Sequence, residues 1–355
     1  MTKRGPHVSC GQGLRVGRPQ PQIELYSTCP QSKDARRGDY ARSVSEVARW
    51  SEEAGCRGML IYTDNSIVDP WVVAQHVIAT TGFLRPLVAV QPVYMHPYSA
   101  AKKVASIALL YGRAVDVNLV AGGFRNDLLA LGDATPHDER YDRLVEYGTI
   151  VRQLLEDGAG VSFEGSYYRV THARLNPRVP PELRPRLLIS GSSPAGRAAA
   201  QSIDAVAIRY PQPAEEENEA DLRANGPEHG IRVGIIAREH AAEAWAVARS
   251  RFPRRREGEL AHKLAMNVSD SEWHRQLSSG PAGGEHEPHP YWLEPFKSYG
   301  TFCPYLVGSY GRVANELSRY LALGVRTLIT DIPREPDDLQ HARQVVSTAM
   351  LSLAA

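Results

Sequence analysis

Cysteine is scarce and scattered in this chain. Cys10, Cys29, Cys56 and Cys303 are the only four in 355 residues and form no C-x-x-C pair. That spacing offers neither a disulfide framework nor a zinc site, and a reducing, cytoplasmic setting is expected. A surplus of charge is missing too: 41 Lys and Arg face 40 Asp and Glu, for a formal net charge of +1. Such balance argues against a general binder of nucleic acid or anionic membrane and favours a small-molecule partner. No apolar run approaches the roughly 18 residues of a membrane span. The N-terminus has no continuous apolar core of the signal-peptide kind, so a soluble protein is expected. No G-x-G-x-x-G follows the first apolar block, which weakens the reading of an open dinucleotide-binding sheet.

What the chain does carry is alternation. Residues 1–21, MTKRGPHVSCGQGLRVGRPQP, are basic and rich in Gly and Pro, the profile of a flexible arm. Residues 22–355 read as a single domain in which short apolar blocks alternate with amphipathic stretches. IELYS, GMLIYT, LVAVQP, VDVNLV, RLLIS, DAVAI, RVGIIA and RTLITDI make eight strand candidates, with VSFEGSYYRV as a hairpin among them. Strands that are nearly all apolar are buried on both faces, and helices between them make the sheet parallel. Eight such units predict an α/β fold, the TIM (β/α)8 barrel. The stretch from about 253 to 303, with PRRREGE and SSGPAGGEHEPHP, breaks the alternation and reads as a long lid-like insertion before the last strand. His286 and His289 lie there without matching Cys or His partners, so a lid rather than a metal site is read.

In such a barrel the reactive groups stand just after the strands, at their C-terminal ends. Here those positions hold Tyr62, Thr63, Asp64, Gln91, Asn118, Ser190 to Ser193, Arg209, Tyr210 and Asp331. The set is amide, hydroxyl and small, with no carboxylate cluster for a metal, no nucleophile beside its base and no catalytic lysine. Such a rim suits a bound cofactor that carries the chemistry itself. LLISGSSPAGRAAA adds a strand-to-helix turn, where a helix start and two hydroxyls fit an anion, most often a phosphate, or else an ordinary Ser cap.

VNLVAGG, HDERYDRLVEYGTIVRQLL, VSFEGSYYRV, LLISGSSPAGRAAAQSIDAVAIRY, GIRVGIIAREHAAEAW and YLVGSYGRVANELSRYLALGVRTLI follow one another across residues 22 to 350. In that order they resemble the luciferase-like flavin-dependent monooxygenases, with the alkanesulfonate monooxygenases as the nearest branch. The resemblance implies a barrel that takes reduced FMN from a separate flavin reductase, activates O2 as a flavin peroxide and oxygenates a small organic substrate. A homodimer or homotetramer is implied as well. It places Asn118 at the flavin ring edge and His137 and Tyr141 along the ribityl chain or phosphate. Gly191, Ser192 and Ser193 become the phosphate cradle, and Thr63 joins the cofactor-binding candidates.

The substrate end departs from that branch. Ile67 stands where it has a cysteine, Tyr210 where it has a tryptophan and Gly234 where it has a histidine; Arg232 is kept, and the branch's lid arginine falls near Lys297 or Tyr299. Tyr210, Arg232 and Lys297 are therefore the catalytic candidates. Arg209, Arg232 and Lys297 form a positive pocket for a carboxylate, phosphate or sulfonate, and Tyr210 positions substrate or gives a proton. The expected substrate is an amino acid, amine, sulfonate or biosynthetic intermediate. A deazaflavin-dependent dehydrogenase on the same barrel and a non-catalytic flavin-binding protein are the alternatives.

Overall fold

The apolar blocks become strands wherever both faces find cover. In the computed structural model, the residues described are 23–36, 38–156, 158–218, 229–253, 256, 258, 260, 262, 264, 275, 277, 278 and 289–354. The expected arm at 1–21 and much of the expected insertion at 253–303 lie outside them. Strands β1 (Glu24–Thr28), β2 (Gly58–Ile61), β3 (Arg85–Val90) and β4 (Asp116–Leu119) run parallel, connected through helices Tyr40–Glu53, Pro70–Thr80 and Pro97–Tyr111. Helix His137–Glu156 leads to the antiparallel hairpin β5 (Val161–Glu164) and β6 (Arg169–Ala173). Strands β7 (Leu187–Ser190) and β8 (Val206–Arg209) then flank helix Pro194–Ser202.

The chain next runs through β9 (His229–Arg232), β10 (Gly234–Arg238), β11 (Tyr291–Trp292), β12 (Tyr305–Ser309) and β13 (Val325–Ile329), and ends in helix Pro336–Ala354. Eight of these strands close a parallel barrel in the order β1-β13-β9-β8-β7-β4-β3-β2, the TIM barrel expected from the alternation. Among the described residues, no helix is long and apolar enough to cross a membrane.

One strand differs from its sequence reading. RVGIIA reads as the seventh barrel strand, yet the barrel takes His229–Arg232, and Gly234–Arg238 leaves to pair with β12 in a separate three-stranded sheet. The exchange happens within two amides: Val233 N–H donates to Ile329 O of the barrel (3.1 Å), and Gly234 N–H donates to Pro304 O (2.8 Å). A side chain at 234 would force the Tyr305 ring to shift, because a Cβ there would lie 2.3 Å from it. The partner strand Tyr305–Ser309 and helix Tyr310–Ala322 fill a stretch that the alternation alone does not mark as a βα unit.

Side-chain alternation divides each barrel strand between lumen and helices. Tyr26, Leu60, Leu87, Leu188, Ile208 and Ile329 form a buried cluster of their own, apart from the larger core that contains Trp71, Leu144 and Tyr147. The N-terminal end is locked by Asp116, fully buried. Its carboxylate accepts from Tyr26 Oη (2.8 Å), Arg57 Nε (3.3 Å) and the Arg186 backbone N–H (3.0 Å). Arg57 also pairs with Glu24 at 2.9 Å. With that end closed by charges and an apolar layer above it, the open end is the C-terminal mouth.

Candidate active site

Two residues beyond the apolar layer, the same alternation brings polar side chains to the mouth. Leu60 is followed by Tyr62, Asp116 by Asn118, Leu188 by Ser190, Ile208 by Tyr210, and Gly230 by Arg232. Those five polar residues line one cavity, with Leu60, Ala89 and Val120 as its apolar wall. The register holds the rim level: Asn118 lies between Ala89 and Leu188, Ser190 beside Ile208, and Arg232 beside Ile329. Thr63, His137 and Tyr141 line the same cavity. Six of the candidate residues, Thr63, Asn118, His137, Tyr141, Tyr210 and Arg232, thus come together there.

On one side the groups are neutral donors and acceptors. Asn118 is buried, and its Oδ1 accepts from the Ser190 hydroxyl (2.9 Å), which leaves its amide hydrogens for a guest. His137 opens helix His137–Glu156, its Nδ1 lies 2.7 Å from Asp138 Oδ1, and its ring meets Tyr141 edge to face at 5.2 Å. The Tyr141 hydroxyl lies against Gly191, where an added Cβ would come to 2.4 Å of it, so only glycine permits that approach. Ser193 caps helix Pro194–Ser202, its Oγ accepting from Gly196 N–H (3.1 Å), while Ser192 Oγ accepts from Tyr210 N–H (3.3 Å). A hydroxyl that accepts keeps its own hydrogen to donate. The cap reading and the anion reading of Gly-Ser-Ser are therefore compatible.

The opposite side is built around one cation. Arg232 is 4% exposed, and its guanidinium lies 4.7 Å over the Tyr62 ring and 5.9 Å from that of Tyr210. Nη1 donates to Tyr210 Oη at 3.4 Å, Asp331 Oδ1 is 3.9 Å from Nη2, and Nε and Nη2 have no hydrogen-bond partner. Asp331 is held by other donors, the hydroxyls of Tyr305 (2.8 Å) and Thr301. Burial, with the Cys303 and Asp331 charges behind it, holds the Tyr210 phenol far above its ordinary range, so it stays protonated. Burial likewise pushes the Cys303 thiol up to about 12, which makes it inert as a nucleophile.

Two expected cations are placed elsewhere. Arg209 alternates away from the lumen and is paired with Glu217 at 2.7 Å, both side chains largely buried, so it does not join the positive pocket. Lys297 ends the short helix Glu294–Lys297 and is absent from the cavity wall; its charge acts on His262, whose pKa burial already lowers. Sequence reading missed Gln31 and Phe302, which both line the cavity. Gln31 follows β1, whose C-terminal end obeys the same barrel rule as the others; Phe302 carries no such signal. The Oε1 of Gln31 is buried and has no partner.

Unpartnered buried atoms on Gln31 and Arg232 mark where a guest or water completes the site. The amides, hydroxyls and apolar wall fit a planar ring with a polar edge, and the Tyr141–Gly191–Ser192–Ser193 corner fits its anionic tail. Among the described residues, no group of three His, Cys, Asp or Glu is placed to hold a metal ion.

Comparison with known proteins gives this geometry a context. A family profile described as luciferase-like monooxygenase matches residues 23–327. The 4-(gamma-L-glutamylamino)butanoyl-[BtrI acyl-carrier protein] monooxygenase of Niallia circulans is 32% identical over 311 residues, 86% of this chain and 91% of that protein. A crystal structure of long-chain alkane monooxygenase matches with a TM-score of 0.68 at 16% identity, over 94% of this chain and 91% of that one. Riboflavin lyase, solved with modified FMN and riboflavin, matches with a TM-score of 0.66 at 17% identity, over 94% and 92%. At such identities the two structures speak for the shared fold alone.

Proposed function

This chain belongs to the luciferase-like monooxygenase family, and from that premise we propose that it takes reduced FMN from a separate reductase and oxygenates an anionic biosynthetic intermediate with O2. When bound, reduced FMN supplies the two electrons that turn the second oxygen atom into water. The chain's own residues do the rest. Asn118 holds the ring edge through its amide, with Thr63 beside it. His137, Tyr141, Gly191, Ser192 and Ser193 hold the tail and its phosphate. Arg232 holds the substrate's anionic group, and Tyr210 keeps a proton on Oη within reach of that group. Tyr62 and Phe302 narrow the opening and exclude water.

The observation that carries this reading is the Arg232 guanidinium, buried over the cavity with no hydrogen bond at Nε or Nη2 and its carboxylate neighbour, Asp331, at 3.9 Å. A charge left so in the fold calls for a charged guest. The Niallia circulans relative acts, by its name, on an acyl group borne by an acyl-carrier protein. We extend that substrate class here: an acyl group on a carrier arm, with a carboxylate at its far end for Arg232.

The test begins with anaerobic titration of the purified protein with reduced FMN. It continues with oxygen uptake and mass analysis of product, using a flavin reductase, NADH and the 4-(gamma-L-glutamylamino)butanoyl carrier thioester. Binding of reduced FMN and a product heavier by one oxygen atom are expected. Tight binding of a reduced deazaflavin with none of FMN would replace the reading by hydride transfer. FMN binding with oxygen uptake no faster than that of free flavin would leave a flavin carrier.

A further inference from the structure

The catalytic cavity has a neighbour. A larger groove runs alongside and shares Gln31, Tyr62 and Phe302 with it, so these three side chains form a threshold between the two spaces. The inner part of the groove is aromatic, with Phe252 and Tyr305 buried and Tyr299 and Phe302 half-buried. Its outer part carries Lys33, Arg36 and Arg334, all exposed.

The charges there are unevenly matched. Among the described residues, no carboxylate lies within ion-pair distance of Lys33, Arg36 or Arg334. The Lys33 ammonium instead lies 5.2 Å from the Phe302 ring centre, and the Arg334 guanidinium 5.6 Å from that of Phe252. Of the groove's carboxylates, Asp39 is taken by Arg42 at 2.8 Å, Asp331 receives the Tyr305 and Thr301 hydroxyls, and Asp34 alone is left to offset three cations. A compact substrate wholly inside the cavity has no use for this arrangement. An extended one does, if its reacting end lies past the threshold, its middle on the aromatic floor and its outer end negatively charged.

We infer that the groove binds a phosphopantetheine arm. Its thioester end passes Gln31, Tyr62 and Phe302 into the cavity, its amide chain lies along Phe252 and Tyr299, and its phosphate rests among Lys33, Arg36 and Arg334. This rests on the reading above that the substrate is an acyl group on a carrier arm. It adds the route by which the arm enters and the residues that recognise it.

The probes are 4-(gamma-L-glutamylamino)butanoyl-phosphopantetheine, which keeps the terminal carboxylate, and the same thioester of pantetheine, which lacks the phosphate. Each is titrated calorimetrically against the full chain without flavin. The phosphorylated probe is expected to bind about tenfold more tightly, with the difference falling as salt rises. In a Lys33→Glu/Arg334→Glu variant the difference should shrink to about twofold or less, with reduced-FMN affinity unchanged. Equal affinity for the two probes, binding of neither, or a preference that survives in the variant would overturn the assignment. Single Lys33→Ala and Arg334→Ala variants repeat the comparison if the double variant does not fold. Comparing kcat/KM for the carrier thioester and the coenzyme A thioester then identifies which molecule presents the arm. Because the titration needs no flavin, phosphate selectivity without oxygen uptake would fault the flavin reading and leave the groove standing.

Discussion

A guanidinium that is 4% exposed with two nitrogens making no hydrogen bond is a cost to the fold, because one long hydrogen bond to Tyr210 and an ion-pair contact of 3.9 Å with Asp331 repay its desolvation only in part. Replacing Arg232 by Met is therefore expected to leave thermal stability unchanged or raised. Turnover of an anionic substrate should fall about 100-fold or more in kcat/KM, as when one partner of a buried charge pair is removed. Melting curves and product assays on the one variant check both halves; a lower Tm with undiminished turnover would make Arg232 a structural residue. His229 makes a different prediction. It is fully buried with both ring nitrogens unpartnered, and burial, reinforced by Arg209 and Arg326, lowers its pKa to about 4. The unfolded chain then binds more protons than the native one between about pH 6.5 and 4, so stability falls as pH drops through that window. By pH 5 the loss from this group is about 2 kcal/mol. Urea unfolding at pH 7 and pH 5 should show a difference smaller by about that amount in His229→Gln than in the parent. At this scale much of the cavity wall was legible, because candidates at strand ends inherit one direction from the barrel. Arg209 misled because its partner Glu217 comes from a loop, which no periodicity announces.

Among the elements, the seventh strand separates what alternation can and cannot reveal. A largely apolar run such as VGIIA carries no mark of the point where a chain leaves one sheet for another. Here the mark is Gly234, whose missing side chain admits the Tyr305 ring, and Tyr305 in turn donates to Asp331 beside Arg232. Gly234 thus sets the packing of a ring behind the Arg232 guanidinium. Gly234→Ala places a Cβ 2.3 Å from that ring. The expected cost is about 1–3 kcal/mol of stability together with a fall in turnover as Asp331 loses a donor. Combining Gly234→Ala with Tyr305→Leu should recover stability without recovering turnover, a coupling that a double-mutant cycle reads directly. Additive stability losses would mean that strand β10 tolerates the methyl by shifting as a body.

Over the whole molecule, the barrel separates the groups that hold it together from the groups that act. Most of its helices and strands were readable because both obey fixed periods and because Asp69 caps helix Pro70–Thr80 and Gly112, at φ +60°, ends helix Pro97–Tyr111. The groove beside the cavity was not readable, since it is assembled from segments around residues 33, 252, 302 and 334 that are far apart in sequence. At the closed end, Asp116 gathers Tyr26, Arg57, Arg85 and the Arg186 backbone around one fully buried carboxylate. Removing it in Asp116→Ala leaves the Tyr26 hydroxyl and the Arg186 N–H without their acceptor and Arg57 with Glu24 alone, at an expected cost of about 2–4 kcal/mol. The cavity lies beyond the Leu60, Leu188 and Ile208 layer from that carboxylate, so the variant's affinity for reduced FMN well below its Tm should match the parent's within about twofold. Urea unfolding and anaerobic titration on the same preparation measure the two quantities. A variant that loses stability and flavin affinity in proportion would show that the two ends of the barrel are coupled through the apolar layer. Loss of stability alone is the outcome the separation requires.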